Sequence, residues 1–247
     1  MHLERTVQAQ EPLEATTLGE RKAAAILQPS YLPWLGYFAQ AYHTDAFILY
    51  DDVQYDKHGW RNRNRIKTPN GPQWLTVPVL TRGKERPLIR DVEITNTERW
   101  QHKHLSSLKQ NYAKAAHFEA CFEVLEALLG RPWKYLVDLN VACFRALNEL
   151  LGLHRPTFLA SDFDVSGDRI ERLIALCRAV GANAFYEGQA GQDYIDDQRF
   201  ADAGIAITYQ QYNHPTYPQL HGDFVPYLSV VDLLFNCGPG SLDILAV

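Results

Sequence analysis

Short apolar runs that stop abruptly at polar or proline-rich segments set the rhythm of this chain. Ala23 to Leu27 (AAAIL) ends at Gln28-Pro29, and Ala46 to Tyr50 (AFILY) ends at Asp51-Asp52. Runs this short, bounded by turn residues, predict strands buried on both faces. Between them, Gly36 to Tyr42 can coil into a helix once the prolines at 29 and 33 have passed. Strand, proline-rich loop, helix and strand make the opening of a βαβ unit.

The pattern then changes. Residues 53–71 are polar and rich in Arg and Asn. Trp74 to Leu80 reads as a strand with a bend or edge at Pro78, and Leu88 to Ile94 as another. Helical spacing follows over Trp100 to Tyr112, with Asn96 or Thr97 as its cap, then over Phe118 to Leu129 and Trp133 to Leu151. From Thr157 the α/β alternation returns. Strands are expected at Thr157 to Ala160, Ala184 to Tyr186 and Ile205 to Tyr209. Helices are expected from Ser166 to Ala179, Tyr194 to Ala203 and Phe224 to Phe235. The fold class this predicts is α/β: a Rossmann-like, mainly parallel sheet with a helical insertion in the middle of the chain. One domain is expected over residues 23–247, with a helical subdomain around 97–152. The polar, poorly patterned residues 1–22 read as a flexible extension.

Composition narrows the class of function. The chain has 247 residues, 46% hydrophobic and 21% charged, which is ordinary globular usage and enough to bury a real core. A net charge of -5 argues against general nucleic-acid binding, although a tRNA-type donor stays open. The four cysteines, Cys121, Cys143, Cys177 and Cys237, form no CxxC pair and read as reduced thiols in a cytoplasmic protein. No apolar run reaches the ~18 residues of a membrane span, and the N-terminus has no signal-peptide core.

Four segments carry candidate chemistry. In QPSYLPWLGYF (28–38), prolines stiffen a loop whose aromatics can wall a site. Gln28, Tyr31, Trp34 and Tyr37 are its candidate contacts, and the helix that follows suits an anion at its N-terminus. The competing reading is an aromatic loop that closes the core. Nucleotidylyltransferases and class I synthetases share this strand, loop and helix layout. Here Trp34 and Tyr37 stand where the histidines of their HxGH signature would be.

The second segment, DDVQYDKHGWRNRNRIK (51–67), packs three acids, five cations and one histidine into 17 residues. If extended, Arg61, Arg63 and Arg65 share one face and Asn62 and Asn64 the other. Guanidinium forks bind phosphate or carboxylate, and asparagines read hydroxyls or amides. Gln54 and Trp60 join them as substrate contacts. Asp51 and Asp52, at a strand end, are candidates for a general base or for binding a cation. A solvated, self-neutralising loop is the plain alternative.

In the third, YEGQAGQDYID (186–196), Gly188 and Gly191 allow a tight turn over a ligand, flanked by Tyr186 and Tyr194. The GxxG spacing matches neither a dinucleotide fingerprint nor a Walker loop. In the fourth, YNHPTYPQLH (212–221), His214 is held extended by the following proline and is a candidate acid–base group. Cys177 shares an apolar helix face with Leu173 and Val180 and reads as an inert thiol. No metal-ligand spacing is found, since His102 and His104 diverge on a helix. No motif names a cofactor.

Taken in order, QPSYLPWLGYF, DAFILYDDVQYDKHGWRNRNRIKTPNGPQWLTVPV, LCRAVGA with YEGQAGQDYID, HPTYPQ and LSVVDLLFNCG resemble the WbqC-like protein family. The resemblance runs from about Ala24 to Gly238. It implies a bacterial protein often encoded beside genes for surface polysaccharides, amino sugars or specialised metabolites, and so a biosynthetic role on a small polar substrate. Two positions depart from the family's pattern: Leu27 stands where histidine is frequent, and Glu187 where serine is frequent. The expectation is a transferase that attaches an acyl or aminoacyl group to an amine of an amino sugar or similar metabolite. Its partner is a small molecule, anionic or nucleotide-linked, and not a membrane. The alternatives are nucleotidyl transfer or ATP-dependent ligation on a HIGH-type fold, and a non-catalytic binding protein for a carrier-bound intermediate.

Overall fold

The computed structural model describes residues 20–80, 86–96 and 99–246. The extension expected over residues 1–22 lies outside the described residues up to residue 19, as does the cap candidate Thr97. The first unit is β1 (Ala23–Leu27), α1 (Leu35–Tyr42) and β2 (Ala46–Leu49). The insertion holds β3 (Arg63–Thr68), β4 (Gly71–Thr76), β5 (Val79–Leu80), β6 (Glu93–Ile94), α2 (Trp100–Tyr112), α3 (Phe118–Leu129) and α4 (Leu136–Leu151). The last part holds β7 (Thr157–Leu159), α5 (Arg169–Ala179), β8 (Ala184–Gly188), α6 (Asp197–Asp202), β9 (Ala206–Gln210), α7 (Val230–Cys237) and α8 (Ser241–Leu245).

Five strands pair in the order β7-β2-β1-β8-β9, all parallel. Numbered within the sheet this is 3-2-1-4-5, a Rossmann-like order, and its parallel pairing is what the alternation of apolar runs and helices predicts. Side chains alternate across it. Ala25, Phe47 and Leu49 face a core built with α1, α2, α3, α4 and α7. Ala24, Ile26, Ala46 and Ile48 face a second core built with α5 and α6. Burial on both faces is why these strands carry no polar alternation. The insertion's helices share the first core. Phe144 of α4 stacks on Phe47 of β2 at 4.8 Å and on Phe38 of α1 at 5.4 Å.

Several elements differ from expectation for local reasons. The polar stretch after Trp60 is not a loop: β3 pairs antiparallel with β4, with Arg65 opposite Trp74. The strand expected over Trp74–Leu80 breaks at Pro78, which has no N–H to continue a ladder. The helix expected from Trp133 starts only at Leu136. Tyr135 is held extended, with Ile94 N–H donating to the Lys134 carbonyl and Leu136 N–H to that of Val92. Asn96 does not cap α2; its side chain bridges Trp133 and Trp100. The helix expected from Ser166 starts at Arg169, where Asp168 and Glu171 form a capping box. The helix expected from Phe224 starts at Val230, because Tyr227 is held at a φ of 58° and Ser229 caps the first turn.

If the insertion is integral to the sheet's core, Phe144→Ala should lower the unfolding free energy by about 3–5 kcal/mol while keeping one cooperative transition. Urea denaturation checks this. Two separate transitions would show that the helices of the insertion fold on their own.

Candidate functional site

The chain runs outward from β1 through β2 to β7, then returns to the other side of β1 to lay down β8 and β9. Strand order therefore reverses between β1 and β8. At such a point the loops leaving the carboxyl ends of neighbouring strands diverge and leave a crevice. A cleft of ≈ 1140 Å³ lies there.

Ile26, Leu27 and Gln28 reach it from β1, Tyr50 and Asp52 from the end of β2, and Glu187 from β8. The insertion contributes Gln54, Trp60, Arg61, Asn64 and Arg65. Trp34 and Tyr37 come from the loop and helix after β1, Arg169 and Arg172 from the first turn of α5, and Tyr194 and Tyr227 from later loops.

Local packing fixes these side chains. Arg61 donates through Nη1 to the Gln28 carbonyl at 3.2 Å and to Ser30 Oγ at 2.9 Å. The Tyr37 hydroxyl donates to the same Gln28 carbonyl at 3.2 Å. Asn64 donates to the Leu32 carbonyl at 2.7 Å and so ties β3 to that loop. The Trp34 ring folds over Gly36, where a Cβ would lie 2.2 Å from it. The two positions where HxGH histidines would stand thus hold an aromatic lid and a pinned phenol. Arg172 pairs with Asp52 at 2.5 Å.

The electrostatics run against the charge of the whole chain. Four arginines (61, 65, 169 and 172) face two acids (Asp52 and Glu187). The Nε atoms of Arg61, Arg65 and Arg172 are shielded from solvent and have no hydrogen-bond partner among the described residues. Buried donors of this kind favour an anion that can accept from them. Burial pulls the Arg61 guanidinium below its usual range. Burial also pushes the Glu187 carboxyl up to about 7, against the Gly188 N–H, the Arg169 charge and the Tyr194 hydroxyl, which all favour its ionised form. Glu187 Oε1 accepts from Gly188 N–H at 2.9 Å and from Tyr194 at 3.5 Å. Arg169 lies 3.6 Å over the Tyr194 ring.

Eight of the residues singled out in the sequence do not line the cleft. Tyr31 is fully buried, its hydroxyl on His104 at 2.9 Å. Asp51 is 2% exposed, and both its oxygens are taken by Ser161, from N–H at 3.0 Å and Oγ at 2.6 Å. It therefore anchors the end of β7 and does not line the cleft. Asn62 extends the hairpin, donating to the Val77 carbonyl at 2.8 Å and accepting Val77 N–H on its own carbonyl. Arg63 turns outward to the His58 carbonyl and the Trp74 ring. Tyr186 packs against His43, and Gly188 lies against Gln40. Gly191 makes room for Glu187, since a Cβ there would meet its Cγ at 2.2 Å.

His214 lies outside the cleft's lining and clamps the loop that leads to α7. Its Nε2 accepts Tyr227 N–H at 3.0 Å, so Nδ1 carries the proton and donates to the Pro215 carbonyl at 2.8 Å. Cys177 is buried and its thiol is pushed up to about 12, so it stays protonated.

Sequence reasoning missed Arg169, Arg172 and Tyr227, and met Glu187 only as a departure from a pattern. The capping box at Asp168 was a usable signal. It places Arg169 and Arg172 in the first turn of a helix that follows a parallel strand, which points that turn at the crevice.

The pattern of the WbqC-like protein family matches residues 28–244, nearly the whole described chain. The chain belongs to the WbqC-like protein family. It is 38% identical over 226 residues to an uncharacterized protein, Rv1507c, of Mycobacterium tuberculosis strain H37Rv, covering 91% of this chain and 97% of that one. No solved structure matches it. In this WbqC-like chain both departures noted in the sequence, Leu27 and Glu187, line the cleft. Among the described residues no helix is long and apolar enough to cross a membrane.

The His214 clamp predicts a pH dependence. Protonation would put a hydrogen on Nε2, facing the Tyr227 N–H. Burial lowers the folded pKa below the ordinary value. The clamp's contribution is therefore complete above about pH 6.5 and is lost as pH falls through the lowered folded value. The melting temperature of the wild type should fall more steeply with acidification than that of His214→Gln. Parallel curves would show that the ring does not hold the loop in this way.

Proposed function

We propose that this protein is a biosynthetic transferase that joins an acyl or aminoacyl group to an amine of an amino sugar or similar small polar metabolite. The observation that carries the proposal is Glu187. It is a carboxyl with a pKa raised to about 7, held at the floor of an arginine-lined cleft at the sheet's switch point. A general base works best when its pKa lies near the working pH.

In this mechanism the amine nitrogen attacks the carbonyl carbon of the donor and a carbon–nitrogen bond forms. Glu187 takes the proton released from nitrogen. The bond to the leaving group breaks, and that group departs with the electron pair as an oxyanion. Arg61 and Arg65, with Nε donors free for it, receive that charge. Asp52 is neutralised by Arg172 and serves to hold that guanidinium against the cleft. Transfer is favoured over HIGH-type nucleotidyl chemistry because Trp34 and Tyr37 offer no imidazole to a phosphate. The resemblance to a family found beside polysaccharide and amino-sugar genes supports the same substrate class.

Glu187→Gln should cut turnover by about 10²–10⁴-fold while leaving substrate binding within a few-fold of wild type. Wild-type turnover should rise with pH through about 7, the side on which the carboxylate is available. Arg65→Ala should weaken binding of the anionic donor by about tenfold or more. Amine-acylation assays with activated donors, run across pH, check all three. A Glu187→Gln variant as fast as wild type would remove the base assignment.

A further inference from the structure

The hairpin of β3 and β4 carries a feature that the transfer chemistry does not use. Trp60 and Trp74 are 39% and 45% exposed, with ring centroids 5.0 Å apart at 46°. Trp74 stands opposite Arg65 in the ladder, so it shares a face with Arg63 and Arg65. The Arg63 guanidinium lies 4.9 Å from the Trp74 centroid. That of Arg65 lies 5.5 Å from Trp60 and 5.7 Å from Trp74. Each cation is anchored at one edge, Arg63 to the His58 carbonyl at 2.6 Å and Arg65 to the Tyr227 carbonyl at 3.1 Å. The Nε of both is shielded and has no partner among the described residues.

Two large rings left partly in water, interleaved with two fixed cations, form a platform and not a stray hydrophobe. The platform is continuous with the cleft, because Trp60 and Arg65 line both. A guanidinium over an indole occupies the negative face that the C–H groups of a bare sugar would seek. What suits the remaining surface is a flat, electron-rich ring attached to an anion. Aromatic side chains supplemented by arginine stack on nucleobases in this way.

We propose that the Trp60–Trp74 platform binds the base of a nucleoside diphosphate, free or as the handle of a linked donor, with its phosphates running inward to Arg65 and Arg61. This rests on the transfer reading for what the cleft does, and it names the donor's recognition element.

The test titrates the full chain with ADP, CDP and UDP, with pyrophosphate as the control that lacks a base. Calorimetry and intrinsic tryptophan fluorescence report binding. At least one nucleotide should bind on the order of tenfold or more tighter than pyrophosphate. Trp60→Leu should lose that margin and Trp60→Phe should keep most of it, with circular dichroism showing both folded. Equal binding of pyrophosphate, no nucleotide binding, or unchanged affinity in Trp60→Leu would overturn the proposal. Transfer from a donor without a base, lost in Glu187→Gln, would overturn it while leaving the transfer mechanism standing. Trp60-dependent nucleotide binding with no transfer to any amine would support it and count against that mechanism.

Discussion

Three distant lengths of chain are fastened together at Arg61. Its guanidinium holds the Gln28 carbonyl and Ser30 Oγ of the loop leaving β1. Its own carbonyl accepts Tyr31 N–H at 3.1 Å and the side-chain amide of Asn140, in α4, at 2.8 Å. The loop above the first strand, the polar insertion and a helix of the core therefore meet on one residue. A guanidinium is suited to this because its donors diverge in a fixed plane, so one side chain can hold two groups and still present Nε elsewhere.

The cleft inherits its character from that junction. The strands supply a floor of Ile26 and Leu27 with one acid, Glu187. The insertion supplies a wall of cations and indoles. An overall negative chain thereby encloses a crevice with more arginines than acids. The sign of the local field is set by which element faces inward, and a total charge does not report it. The low-dielectric setting that raises the Glu187 carboxyl also strengthens the arginines' hold on an anion.

Much of the scaffold was legible in the sequence. A strand covered on both faces must be apolar throughout, so AAAIL and AFILY announce themselves, and helices such as Trp100–Tyr112 and Phe118–Leu129 show their period directly. The cleft was legible only where its residues cluster along the chain, as Trp60, Arg61 and Asn64 do. Arg169 and Arg172 were not, because their place depends on which strand lies beside which. Asp51 and His214 look catalytic in isolation, but the fold holds Asp51 on Ser161, 110 residues away, and His214 between the Tyr227 N–H and the Pro215 carbonyl.

The strand order has a further consequence for biosynthesis. Ala23 of β1 pairs with Ala184 of β8, and β2 waits for Thr157 to Leu159 of β7. While the chain leaves the ribosome, both flanks of the first hairpinless pair remain uncovered until the insertion has been made. Exposed parallel edges are sticky, and contacts so remote in sequence close slowly. The crevice is assembled only after β8 has been made and the later loops bring Tyr194 and Tyr227 to it.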